Sequence, residues 1–201
     1  MRLLTKSLIA IFAMLTIGAA VNAQTTRLRG TIETVSGESL TMRAQDGEQA
    51  SVRLKAPFQI TALVKAQLSD IKPGLFIGVA AVPDGGSALK AMEVHIFPET
   101  MRGTGEGSRP FDLAPQSSMT NGNISAQVDT VDGPKLTVAY KGGEQTILVD
   151  KTTPIVGMAM GGLDDIKPGA GLIVFASDKG ADGAYEADRV IVGRDGVNPP
   201  M

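Results

Sequence analysis

The chain has 201 residues, with 19 Lys and Arg against 21 Asp and Glu, one His and no Cys. The weakly acidic balance excludes binding that works by clustered Lys and Arg on a phosphate backbone. The missing Cys excludes disulfides, thiolate metal ligands and lipid attachment through a cysteine.

Arg2 and Lys6 precede an apolar run from Leu8 to Ala20, broken only by Thr16 and Gly18. At thirteen residues it is shorter than the ~20 that a bilayer span needs and matches the core of a secretory signal. Val21-Asn22-Ala23 offers small residues for a cut before Gln24. Residues 1–23 therefore read as a signal peptide, with an uncleaved anchor as the alternative. After cleavage 17 basic residues remain against 21 acidic ones, a net charge near −4. No later segment is long and apolar enough to cross a membrane as a helix. The expectation is a periplasmic or secreted protein that is not integral to the membrane once its signal is removed.

The rest of the chain repeats itself. Thr34-Val35-Ser36-Gly37 recurs as Thr130-Val131-Asp132-Gly133, and Leu40-Thr41-Met42 as Leu136-Thr137-Val138, both at an offset of 96. Asp70-Ile71-Lys72-Pro73-Gly74 recurs unchanged as Asp165-Ile166-Lys167-Pro168-Gly169 at an offset of 95. Collinear matches of this kind mark a duplicated unit.

Within the first copy, Leu28 to Val35 alternates apolar and polar residues, as a half-buried strand does. Leu40–Ala44 and Gln49–Leu54 follow as strands, joined by turns at Ser36–Ser39 and Gln45–Glu48, the second built on Asp46-Gly47. Ile60, Leu63, Val64 and Leu68 then fall at helical spacing, stopped by Pro73-Gly74. Leu75–Val82 and Ala88–Phe97 read as two closing strands. The second copy repeats the order, but Val156–Gly162 holds three glycines and reads as a loop or a single turn.

Strand, strand, strand, short helix, strand, strand is the order of an OB-like Greek-key barrel. The predicted fold is all-β: two tandem five-stranded OB-like Greek-key small barrels, with a short helix between strands 3 and 4 of the first copy. A β-sandwich or split barrel is the alternative. The expected division is 24–98 for the first barrel, 99–121 for a Gly/Pro-rich linker, and 122–201 for the second barrel with a short tail.

The paired strand–turn–strand opening, the Asp-Ile-Lys-Pro-Gly step before an apolar strand, and the export signal resemble exported bacterial OB-like domains of a family of unknown function. The segment His95–Leu113, followed by Ser118-Met119-Thr120-Asn121, resembles a signature of a two-domain subgroup. The resemblance covers nearly the whole mature chain and implies a fold and a compartment, with no activity and no catalytic residues. Members of the subgroup are sometimes labelled as parts of metal transporters. A permease needs several spans, so that label is not carried over.

The linker concentrates the candidate residues. Gly103-Thr104-Gly105-Glu106-Gly107 has the look of a phosphate loop, but Arg109-Pro110-Phe111 follows and opens no helix to receive an anion. One reading is a flexible spacer. The other is a linker docked on the barrels through Met101, Phe111 and Leu113, with Arg102, Glu106 and Arg109 holding it or framing a ligand. His95 is the single histidine and opens the signature; as one imidazole it makes no zinc site alone. Met158 and Met160 offer soft sulfur that suits Cu(I), against the ordinary role of Met as core filler.

Three functions follow. The first is a non-catalytic envelope module that binds a protein, peptide or glycan without a cofactor. The second is a copper-type metal-handling accessory using His95, Met158 and Met160. The third is an enzyme of unrecognised type at the junction of first barrel and linker. Nucleic-acid binding is excluded by the negative charge and by a mature chain with five Phe, two Tyr and no Trp for stacking. Mass spectrometry of the protein recovered from a periplasmic fraction should give a chain starting at Gln24. A chain retaining Met1–Ala23 would instead identify an anchor.

Overall fold

The computed structural model describes residues 26–199, so the signal sequence and Gln24 lie outside the described residues. The first copy supplies β1 (Thr26–Ser36), β2 (Ser39–Ala44), β3 (Gln49–Lys65), β4 (Phe76–Pro83) and β5 (Leu89–Ile96). A short β6 (Gly107–Pro110) lies in the linker. The second copy supplies β7 (Ser118–Thr130), β8 (Gly133–Tyr140), β9 (Gly143–Leu148), β10 (Ile155–Met160), β11 (Gly171–Lys179) and β12 (Tyr185–Gly193). The protein is all-β and barrel-like, as its alternating pattern predicts.

The barrels do not close within the copies. β1, β2 and β3 form an antiparallel meander, and the ring is completed by β11 against β1 and by β12 parallel to β3. β7, β8 and β9 form the second meander, completed by β4 against β7 and by β5 parallel to β9. Each ring has the 1-2-3-5-4 order of an OB barrel, but strands 4 and 5 come from the other copy. The cores confirm the exchange. Ile32, Leu40, Met42 and Val52 pack with Leu172, Val174, Val190 and Val192. Ile124, Leu136, Val138 and Ile147 pack with Ile77, Val79, Ala91 and Val94. The linker thus does not divide the chain into two self-closed barrels at residues 98 and 122.

The predicted helix over Ile60–Leu68 is absent. Ile60 to Lys65 continues β3, and the connection to β4 holds a single 3-10 turn, Leu68–Asp70. Ile60, Thr61 and Val64 are β-branched and favour extended backbone. Partners on both sides reinforce this: β12 runs parallel on one edge and β10 antiparallel on the other. The Gly-rich counterpart 156–162 is likewise largely strand, since β10 carries its first five residues.

The β3–β10 register is nearly symmetric: Leu63 faces Met158 and Ala62 faces Ala159, so exchanging the copies reproduces the pairing to within a residue. An approximate two-fold axis therefore passes through this crossing. Both copies of Asp-Ile-Lys-Pro-Gly do one job. Asp70 and Asp165 accept from the backbone N–H of Gln67 and Gly162, each at 2.9 Å, which fixes a turn that drives Ile71 and Ile166 into the barrel ends.

The first strand of each barrel must bend to serve two neighbours, and each does so at a bulge, between Ile32 and Thr34 and between Ile124 and Ala126. Gly30 and Gly122 mark the close approach there. A Cβ would lie 2.0 Å from the Arg43 carbonyl oxygen at Gly30 and 2.4 Å from that of Ala139 at Gly122. The second hairpin is longer. Thr34 sits opposite Thr41, yet the residue opposite Thr137 is Ala126, so the sequence match of Thr34 to Thr130 joins residues at different places.

Burying a Leu, Ile or Val contributes roughly 1.5–3 kcal/mol. Removing two strands from each barrel strips several such residues from both cores. A fragment of residues 24–98 should therefore show no cooperative urea transition, while mixing it with residues 99–201 should restore one. Cooperative unfolding of the first fragment alone would contradict the exchange.

Candidate functional site

The linker is docked on both barrels. β6 pairs along the outer edge of β7, from Gly107 opposite Asn121 to Pro110 opposite Ser118. Arg102 donates to the Gly74 carbonyl at 3.0 Å, to Glu99 at 2.7 Å and to the Asn123 side chain. The Lys141 N–H donates to Glu106 at 3.0 Å. Those contacts hold the linker to the second barrel. On the first barrel, Asp112 accepts from Arg27 at 2.6 Å and from Arg29 at 2.9 Å, while Phe111 lies 5.1 Å below the Arg27 guanidinium. Exposed ion pairs are worth only ~0–1 kcal/mol each. The β6 ladder and the burial of Met119 and Ser117 therefore carry more of the docking.

Under this strap lies a cavity of about 300 Å3, enclosed by the outer faces of the two barrels. The size falls at the lower end of small-molecule pockets, ~300–1,000 Å3. Strand alternation explains what it displays. On β5, Val94 points into its barrel, so Glu93, His95 and the following Phe97 point outward into the cavity. Ile173 and Phe175 of β11 and Arg189 and Ile191 of β12 face them from the first barrel. Met158 and Thr61 close the end at the β3–β10 crossing, and Met101, Thr104 and Phe111 form part of the roof.

The polar chemistry of the lining is incomplete. Glu93 is 2% exposed and His95 9%. Burial pushes the Glu93 carboxyl up to about 7, with Arg29 opposing and Asp112 adding to the shift. Burial also pushes the His95 imidazole down to about 4. Glu93 Oε1 and His95 Nε2 are 3.4 Å apart, too loosely placed for a hydrogen bond. Glu93 Oε2, His95 Nε2, Asn121 Oδ1 and Arg29 Nε are all buried without a partner. An unmade buried hydrogen bond costs ~1–3 kcal/mol, so four on one cavity are an open demand for complementary groups.

The charges are also unbalanced. Burial works against ionisation of Asp112, but Arg29 and Arg27 outweigh it and hold its pKa below the usual carboxylate range. Asp112 thus serves two of the four lining arginines. Among the described residues Arg109 donates only to the Gly105 carbonyl, at 2.8 Å. Arg189 stacks 4.0 Å above the Phe175 ring and has no hydrogen bond or carboxylate partner among the described residues.

Of the residues singled out from sequence, His95, Arg109 and Met158 meet in this cavity, together with the linker anchors Met101, Phe111 and Leu113. Arg102 and Glu106 do not line it; they pin the linker. Met160 is 82% exposed at the end of β10 and also stays outside. Glu93, Arg27, Arg29 and Arg189 join the site unanticipated. Their signal in the sequence is charge at every second position of a strand, as in Arg27-Leu28-Arg29 and Glu93-Val94-His95. Among the described residues no group of three His, Cys, Asp or Glu side chains is placed to hold a metal. Comparison with known families, with curated proteins and with solved structures returns no match for this chain.

The raised Glu93 pKa has a defined effect on stability. The folded state holds the proton more tightly than the unfolded chain, whose value is near 4.5, so the Glu93 contribution is fully present below that pH and is lost as pH rises to about 7. His95 acts in reverse: its contribution is present above 6.5 and lost as pH falls to about 4. In urea unfolding, Glu93→Gln should gain stability relative to the native chain between about pH 4.5 and 7. His95→Gln should gain between about 6.5 and 4. Parallel pH profiles for native and variant proteins would contradict the burial of these groups.

Proposed function

We propose that the protein is an exported binding module of the cell envelope, periplasmic or secreted, that holds a small molecule in the cavity between its two barrels. One observation carries this reading. Four residues that line a single cavity of ligand size, Arg29, Glu93, His95 and Asn121, each carry a buried polar atom without a partner. An interface packed only for stability has no reason to leave them unpaired. The exchanged strands and the docked linker tie the cavity walls to both barrels, and a wall held in place before binding lowers the entropy lost on binding. The signal-like N-terminus supports the compartment. Among the described residues no helix is long and apolar enough to cross a membrane.

Native mass spectrometry of the full protein purified from the periplasm should show a small-molecule adduct. Thr61→Trp, which fills the end of the cavity, should abolish that adduct while circular dichroism remains unchanged. An adduct that survives Thr61→Trp, or native protein that carries none, would overturn the reading.

A second reading is favoured by the soft side chains in the lining. His95, Met101, Met119 and Met158 line the same cavity, a set that suits a monovalent copper-type ion better than zinc. Titration with Ag(I), a redox-inert stand-in for Cu(I), should then give one bound ion per chain, lost in Met158→Leu. Absence of stoichiometric binding would remove this alternative.

A further inference from the structure

We infer that the occupant of the cavity is a small amphipathic anion that also carries a hydrogen-bond donor, its anionic group received by Arg189 and Arg109 and its donor by the β5 wall. The inference rests on the cavity being a ligand site and goes on to the chemistry of the ligand.

Charge comes first. Four arginines line the cavity, and the strap contributes one carboxylate, Asp112, already shared by Arg27 and Arg29. Arg109 and Arg189 have no acidic partner among the described residues. Arg189 crosses Phe175, whose ring also lies 5.5 Å from the Arg27 guanidinium. Stacking of this kind fixes the guanidinium plane and leaves its N–H edge free for a carboxylate, sulfate or phosphate. Arg109 and Arg189 are both exposed, so a cation would meet repulsion from this excess, whereas an anion gains charge-assisted bonds that a neutral molecule does not.

A second set of groups in the lining asks for something else. Glu93 Oε2, His95 Nε2 and Asn121 Oδ1 sit together as unpartnered atoms on residues that are each at least nine-tenths buried. The amide oxygen accepts, as do the Glu93 oxygen when ionised and a neutral imidazole nitrogen without its proton. A hydroxyl on the ligand donates to one of them and an amino group to two or more, whereas a second anion would bring another acceptor where donors are wanted. Beside these two sets the lining is apolar, with Phe97, Phe175, Ile173 and Ile191 in contact with the cavity. An aromatic or branched body joining an acid at one end to a hydroxyl at the other meets all three demands.

Four isosteric probes test this by calorimetry on the full mature chain: 4-hydroxyphenylacetate, phenylacetate, 4-hydroxyphenylethanol and tyramine. The first carries anion and donor, the second lacks the donor, the third is neutral and the fourth is a cation. 4-Hydroxyphenylacetate should bind at least about tenfold more tightly than each of the others, since each loses one charge-assisted or buried hydrogen-bonding group. Arg189→Gln and Arg109→Gln should each reduce its preference over the neutral alcohol. Arg43→Gln, on the far side of the first barrel, should leave it unchanged. Equal or tighter binding of the alcohol or of tyramine, blocked by Thr61→Trp, would overturn the anionic assignment and leave the cavity as a ligand site. Binding of 4-hydroxyphenylacetate undiminished in Thr61→Trp would place it elsewhere and overturn both. Failure of all four probes to bind would overturn the assignment, whereas a co-purified adduct lost in Thr61→Trp would keep the cavity.

Discussion

The antiparallel crossing of β3 and β10 is the contact on which the rest of the architecture depends. It lies where the two copies of the repeat change places, with Leu63 opposite Met158 at its centre. β3 leaves the first barrel as a continuous strand and delivers β4 and β5 to the second. β10 returns the favour through β11 and β12. Each barrel therefore closes only because the other does. Backbone groups of β3 that would be orphaned beyond the first barrel are paired by β10 and β12, which removes the desolvation cost of carrying an extended strand between two cores.

That arrangement also creates the cavity. Two barrels joined by a flexible tether would meet in many ways, and a pocket between them would come and go. Here four strands cross the boundary, so the outer face of β5 is held opposite those of β11 and β12. The linker then has a fixed gap to cover. It does so with a short strand along β7, the Arg102 clasp at one end and Asp112 between two arginines at the other. Its glycines and prolines are the irregular backbone such a path requires. Gly105, for one, adopts a φ of +57° beside Asn121 and Arg109.

The cavity lining departs from the consistency of the two cores. Within the barrels apolar side chains meet apolar side chains, and the repeated Ile71 and Ile166 seal the ends. In the cavity a carboxyl near neutrality faces a neutral imidazole, and guanidinium groups outnumber carboxylates. Local conflicts of that kind reduce stability and persist where something other than folding is served. The two copies contribute unequally: His95 and Glu93 come from the first, and Arg189, Phe175 and Met158 from the second.

Residue pattern by itself showed most of the strands and the repeated segments, but not β6, β10 or the run of β3 beyond Leu54. The alternation of Leu28 to Val35 follows from a pleated strand with one buried face, and Asp70–Gly74 and Asp165–Gly169 proved to be the same turn in both copies. It also placed His95, Arg109 and Met158 among residues of interest. The helical spacing of Ile60, Leu63, Val64 and Leu68 misled, because a strand bonded on both edges buries those residues on either face and has no need of strict alternation. Only the tertiary structure decided which copy of strands 4 and 5 closes which barrel. Val79 and Val174, or Val94 and Val190, are near-equivalent apolar residues, so either closure buries similar side chains and the pattern is indifferent between them. For the same reason Glu93 and Arg189, on closing strands from different copies, became neighbours of one cavity only when the crossing of β3 and β10 chose between those closures.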